Sequence, residues 1–291
     1  MRRETSASIF LSLVNDEALT AIGASNMATQ FEDIIYDSTD GVGTITINRP
    51  ERLNAFRQQT YFEVIEALTL AGWDDEVGVI VLTGAGGKAF GVGGDTGDKK
   101  SARAGRGVIG VPIEEIHALM REVPKPVIAK VNGYAIGGGN VLATICDLTI
   151  ASDKSQFGQV GPKVGSVDPG FGTAYLSRVI GEKKAREMWY LCRRYSAQEA
   201  LEMGLVNKVV PEEQLDAEVA QWCAEILERS PTALTIAKRS FNADSENIRG
   251  ISALGFQTVA LYYQTEESKE GGNAFREKRK PDFRGKRKAG R

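Results

Sequence analysis

The sequence predicts an α/β fold with a helical C-terminal part. Short β-branched runs bounded by glycine alternate with stretches of helical apolar spacing, which is the signature of strands packed against helices. From residue 172 onward the pattern is mostly helical. With 42% apolar and 25% charged residues among 291, the chain can bury a large core.

The elements follow in order. Residues 31–39 and 42–49 alternate in the β manner around Asp40-Gly41, a hairpin signal. Residues 57–71 place Phe62, Ile65, Leu68 and Leu70 at roughly helical spacing. The run VGVIVLTG at 77–84 reads as a buried strand, and a glycine-rich loop at 84–97 and a basic polar stretch at 98–107 follow it. Pro112 opens a helix, since its missing N–H is no loss in a first turn, and residues 125–133 form another buried strand. GGGNVLATICD turns into a helix, LTIASD into a strand, and LVNKVV at 205–210 interrupts the helical C-terminal part. There is no fixed-period repeat. The expected organisation is an extension over 1–26, poorly ordered or an upstream start, a core over 27–228, and a helical region with a basic tail over 229–291.

Charge and cysteine usage narrow the class. The net charge of −2 disfavours a general nucleic-acid binder, although residues 276–291 hold nine Lys/Arg against two acids, a local +7. Three cysteines (Cys146, Cys192 and Cys223), far apart and without a CxxC, support neither a disulfide framework nor a zinc site, and a reducing cytoplasm fits. No apolar run approaches a membrane span. His117 is the only histidine, which argues against His-based nucleophile triads. On a helix whose apolar side carries Ile113 and Met120, it reads as packed or partly exposed rather than catalytic.

Glycine is the compositional departure: 20 of the 32 glycines fall within residues 84–181. Two glycine-rich segments, Ala89–Asp95 and Gly133–Asn140, each follow a predicted strand. The second opens a helix, whose first N–H groups lack internal partners and carry partial positive charge. Two such amides aimed at one oxygen make an oxyanion hole; the plainer reading is tight turns and close packing. Neither segment matches G-x-G-x-x-G or a P-loop, which removes support for nicotinamide and nucleotide-triphosphate chemistry. No metal or redox cofactor is called for. A third feature, Ser166-Val167-Asp168, places a hydroxyl two residues from a carboxylate, either a proton-transfer pair or an ordinary turn.

Together INRPERLNAF, AFGVGGD, KPVIAKVNGYAIGGGN and FGQVGPKVGSVDPGFG resemble the crotonase (enoyl-CoA hydratase/isomerase) superfamily over residues 31–288. The resemblance implies a crotonase-like ββα superhelical spiral with a C-terminal helical trimerisation region, as a homotrimer or a dimer of trimers. It implies an acyl-CoA substrate, with CoA arriving as part of it, and no nucleic-acid or membrane partner. It also implies thioester-enolate stabilisation by the amides of Gly94 and Gly138. The hydratases of the superfamily use two glutamates, and at those positions this chain has Val141 and Gly161, so hydration of an enoyl-CoA is disfavoured.

GPKVGS-x-D followed by EKKAREMWYLCRRY resembles two subfamilies, the 1,4-dihydroxy-2-naphthoyl-CoA synthases and the 2-ketocyclohexanecarboxyl-CoA hydrolases. Val167, Pro169, Leu53 and Arg52 side with the ring-opening hydrolases. The expected reaction is therefore conversion of 2-ketocyclohexanecarboxyl-CoA and water to pimeloyl-CoA. Dieckmann-type ring closure is the alternative, and a non-catalytic scaffold the further one. By resemblance Ser166 holds Asp168 as the acid–base group. Tyr263 polarises the ketone or protonates the α-carbon, from across a subunit boundary. Arg52, Ala55, Gly93, Asp95, Tyr134, Gly161 and Lys278 fall at substrate or CoA positions, and Lys99, Lys100, Arg103 and Arg106 read equally as CoA attraction or a solvated loop. Gln159 and Trp189 match groups that hold bicarbonate in some synthases, but Val160 replaces the third partner, which favours an ordered water. One departure counts against both subfamilies: their loop after Gly-Gly-Asp usually supplies a tyrosine, and residues 96–111 contain none.

Overall fold

The structure, a computed structural model, describes residues 31–95 and 106–289. The extension over 1–26, Lys99, Lys100 and Arg103 lie outside the described residues. From Glu32 on, the chain forms one compact unit.

Two sheets are built alternately along the chain. The first has strand order β1-β2-β3-β5-β7-β10 and comprises Ile34–Thr39, Val42–Ile47, Val79–Gly84, Val127–Val131, Leu148–Ser152 and Lys208–Val210. β1 and β2 are antiparallel across the expected hairpin, where Asp40 and Gly41 both take positive φ (50° and 80°), as a two-residue primed turn requires. The remaining pairs are parallel, and every residue of β3 is buried, as expected of a strand covered on both faces.

The second sheet, with order β4-β6-β8-β9, consists of Ala89–Gly91, Tyr134–Ile136, Gln156–Gly158 and Arg194–Ser196. These strands are absent from the sequence reading, which has glycine-rich loops at the first two. Three-residue strands show no alternation, and glycine is depleted in strands generally.

Helices α1 (Gln58–Trp73), α2 (Ile113–Glu122) and α3 (Gly138–Ile145) fall in the chain between successive strand pairs. After β3 and β4 comes α2; after β5 and β6 comes α3; after β7 and β8 comes the short α4 (Gly161–Val164). Each turn thus places one strand in each sheet and then a helix, the ββα spiral that the resemblance implies. Helices α5 (Leu176–Ile180), α6 (Glu182–Leu191), α7 (Ala197–Glu202) and α8 (Leu215–Leu227) follow. Leu215, Val219 and Cys223 of α8 pack on Val79, Val81, Ile128 and Ile150 of the first sheet. Helices α9 (Pro231–Asp244), α10 (Asn247–Tyr262), α11 (Glu266–Arg276) and α12 (Phe283–Ala289) complete the helical C-terminal part. No helix among the described residues is long and apolar enough to cross a membrane.

Candidate active site

The site begins with one buried asparagine. Asn54, with φ of 55°, accepts from the Arg49 amide and donates to the carbonyls of Ala85 and Ala89. It ties the turn before α1 to the start of β4. Just beyond β4, the Phe56 amide donates to Gly93 O and the Asp95 amide donates to Phe56 O, both at 2.8 Å, which fixes Gly94 between them.

Among the described residues neither the Gly94 nor the Gly138 amide has a backbone acceptor. Gly138 is the first residue of α3, where the helix leaves its N–H groups unpaired. The two segments touch, because a β-carbon on Gly93 would stand 2.9 Å from Gly138 N. Gly93 also has φ of 83°, so the position calls for glycine on backbone grounds as well. The two glycine segments singled out in the sequence therefore lie against each other.

Beside them Arg49 and Arg52 both grip Asp95, at 3.0 and 2.9 Å, with Arg52 half exposed. Arg49 also donates to Ala55 O. Arg52, Ala55, Gly93 and Asp95 thus lie together. Arg49, the more buried of the two cations, was not singled out from sequence, although it stands in the INRPERLNAF motif. Tyr134 lines a separate cavity of about 320 Å³ with Leu53, Lys88 and Glu212, under the Arg194 guanidinium. Lys278 is exposed beyond α11, and Arg106 pairs with Glu115.

The acid–base group differs from the expected arrangement in two respects. Ser166 does not touch Asp168: its Oγ is 2.6 Å from the Tyr263 hydroxyl. The Ser166 amide donates to Gly161 O, which holds the serine in the turn after α4. Tyr263 caps the end of α10, and its hydroxyl reaches Ser166 within the same chain. Asp168 is held instead by the Gly172 amide, which donates to Oδ1 at 2.8 Å from the π-helical turn Phe171–Tyr175. A β-carbon on Gly172 would meet that of Asp168 at 2.7 Å, so only glycine lets the amide come so close.

Asp168 Oδ2 is buried without a hydrogen-bond partner among the described residues. Burial pushes the Asp168 carboxyl up to about 7; the Gly172 amide opposes this and the neighbouring Glu114 adds to it. A carboxyl poised there can give or take a proton near neutrality.

Two residues missed by sequence reasoning complete the cluster. His117 is buried, as the sequence reading allowed, but its Nε2 stands 3.9 Å from Asp168 Oδ2, and its position within an apolar stripe hid this. Tyr61, on α1, is buried, and its hydroxyl is raised first by burial and then by the fields of Tyr263 and Asp168. Tyr263 is raised by burial too. A cavity of about 570 Å³, lined by Gly107, Val108, Ile109, Gly110, Ala260, Tyr263 and Gln264, opens against this cluster at Tyr263.

Bicarbonate does not fit the residues present. The Trp189 indole N–H donates to Gly172 O and so is taken. Gln159 Nε2 is buried without an acceptor and the adjacent Val160 offers none. One orphaned amide suits a single ordered water better than a three-oxygen anion.

The two hydratase carboxylate positions are closed. Val141 is packed in α3 with 1% exposure. At Gly161 a β-carbon would sit 2.6 Å from Ser166 O and 2.8 Å from the Trp189 ring. Gly161→Glu is therefore expected to lose about 1–3 kcal/mol of stability through overpacking, seen as a lower melting temperature, and to create no enoyl-CoA hydration. Thermal unfolding and a hydration assay on the purified variant check both; measurable hydration would show that the position can still take the acid.

Residues 37–286 match the family model described as enoyl-CoA hydratase/isomerase. Three similar crystal structures bear on the fold. An enoyl-CoA hydratase from Mycobacterium avium subsp. paratuberculosis K-10 is 29% identical with a TM-score of 0.76, over 87% of this chain and 99% of that one. An enoyl-CoA hydratase/isomerase from Pseudoalteromonas atlantica T6c is 27% identical with a TM-score of 0.79, over 87% and 100%. An enoyl-CoA hydratase from Bacillus anthracis is 32% identical with a TM-score of 0.66, over 86% and 98%.

Proposed function

We propose, since the chain belongs to the enoyl-CoA hydratase/isomerase family, that it is an acyl-CoA-processing enzyme whose reaction is the hydrolytic opening of a cyclic β-oxo acyl-CoA. The preferred substrate is 2-ketocyclohexanecarboxyl-CoA and the product pimeloyl-CoA. The observation that carries this reading is the replacement of both hydratase carboxylates by packed, uncharged positions, with one buried carboxyl, Asp168, poised near neutrality in their place.

In the reaction, Asp168 as carboxylate takes a proton from a water molecule while that water's oxygen adds to the ring ketone. The adduct collapses, and the bond between the former ketone carbon and the α-carbon breaks. Its electron pair passes into the thioester as an enolate, whose oxygen lies against the Gly94 and Gly138 amides. The α-carbon then takes a proton from Tyr263, whose hydroxyl is connected to Ser166, and Tyr263 is reprotonated from Asp168. Water has been added across one C–C bond, and Asp168 is again a carboxylate.

Backbone donors suit the enolate because they are fixed before charge develops and need no reorganisation. CoA enters with the substrate, and Arg52, Ala55 and Gly93, which lie together, are proposed to contact it. Exposed Ile236, Phe241, Leu254 and Leu261 on α9 and α10 suit a subunit interface, and the trimer is the assembly proposed for it.

The test is turnover of two synthetic thioesters by the purified protein. Pimeloyl-CoA is expected from 2-ketocyclohexanecarboxyl-CoA, with no cyclisation of o-succinylbenzoyl-CoA. The reverse pattern would assign the chain to ring closure, and turnover of neither would leave the scaffold role.

A further inference from the structure

We propose that His117 is a positioning residue for Asp168, donating its Nε2–H to the Oδ2 that no other described residue holds. This rests on the reading of Asp168 as the acid–base group given above. The two residues come from elements far apart in the chain, α2 and the turn after α4, and each exposes under a tenth of its surface. Asp168 Oδ2 has no hydrogen-bond partner among the described residues, which is costly for a buried carboxylate oxygen unless a donor such as His117 Nε2–H reaches it.

The tautomer follows from the surroundings. A proton on Nδ1 would have no acceptor, whereas one on Nε2 faces a carboxylate oxygen 3.9 Å away. That separation is longer than a hydrogen bond, and closing it needs a side-chain shift of about 1 Å. Such contacts commonly tighten only when substrate is bound. The Phe171 ring packs edge-on to the imidazole with centroids 5.3 Å apart and limits its rotation.

The other charged and titratable groups nearby do not duplicate this role. Glu114, one turn earlier on α2, disfavours the Asp168 carboxylate. Arg121, one turn later, lies over the Phe171 and Tyr175 rings and donates to Asn242 O and Ser245 Oγ. Tyr61 and Tyr263 feel the charge of Asp168 through space and do not bond to it, and the Gly172 amide occupies Oδ1. His117 is therefore the neighbour placed to orient the second carboxylate oxygen. By donating to the carboxylate it opposes burial and keeps Asp168 ionisable at neutral pH. Burial in turn holds the imidazole neutral, with its own pKa pushed down to about 3.

The test compares His117→Phe, a ring that cannot donate, with His117→Gln, which can. In His117→Phe the acid limb of kcat/KM is expected to move up by about one pH unit, because the carboxylate has lost a donor. At pH 7 kcat is expected to fall several-fold with KM little changed, and His117→Gln to recover part of both. Infrared difference spectra of each variant against its Asp168→Asn counterpart follow the protonated carboxyl directly and need no turnover. Should His117→Phe not fold, His117→Asn, whose shorter amide falls short of Asp168, is read in the same way. An unmoved Asp168 titration in a folded variant would overturn the role of His117, even if the ring is opened. A moved titration without ring opening would sustain that role and overturn the proposed reaction instead.

Discussion

Asp168→Asn is expected to lower ring opening by about 10²–10⁴-fold, the range set by removal of a general acid–base group, while the protein becomes more stable at neutral pH. The two effects share one cause. Burial lifts the Asp168 carboxyl from its ordinary value to about 7, so the folded chain holds this proton better than the unfolded chain does. Its favourable contribution is complete below pH 4 and is lost as pH rises through 7, where the folded chain must carry a buried carboxylate. Asparagine removes that charge, and the shift of about three units corresponds to an upper figure of roughly 4 kcal/mol. Stability rising while activity collapses distinguishes a functional carboxyl from a structural one. For the parent enzyme, kcat/KM is expected to rise with pH and level off above about 7, since the base must be ionised. Stopped assays across pH and thermal unfolding of the variant measure both. A variant that keeps full activity would remove Asp168 from the chemistry.

Gly93→Ala is expected to cost about 10²–10³-fold in kcat, the loss associated with one oxyanion donor. The added methyl would sit 2.9 Å from Gly138 N, the atom proposed to hold the enolate oxygen. The substitution adds only one carbon, and its φ of 83° adds backbone strain. Strain appears as a lower melting temperature, whereas the obstructed amide appears in kcat with the CoA ester still bound. Calorimetric binding of a non-reactive acyl-CoA separates the two. A folded Gly93→Ala enzyme with parental kcat would show that Gly138 N does not carry the charge.

The features legible in sequence were those written in local pattern. The Asp40-Gly41 hairpin, the buried β3 and the helix after Pro112 stand within three residues of their expected bounds, because turn chemistry and apolar runs act over a few residues. The paired glycine segments and the Ser166-Val167-Asp168 turn could be found, but the partners of that turn could not. Whether Ser166 meets Asp168 or Tyr263 depends on how α10 lies across the turn, and nothing local encodes that. The same holds for His117, whose helix shows only an ordinary apolar stripe around it. The second sheet escaped for a different reason: its strands are three residues long and glycine-rich, and they exist because neighbouring strands supply the hydrogen bonds.

Ring opening by addition of water to the ketone has one direct measurement, the fate of oxygen from isotopically labelled water. With 2-ketocyclohexanecarboxyl-CoA as substrate, the heavy oxygen is expected in the new terminal carboxylate of pimeloyl-CoA, with the thioester oxygen unlabelled and no free CoA released. Release of CoA with the label in a ring-retaining acid would mean that the thioester, not the ring, is cleaved, and would contradict the proposed reaction.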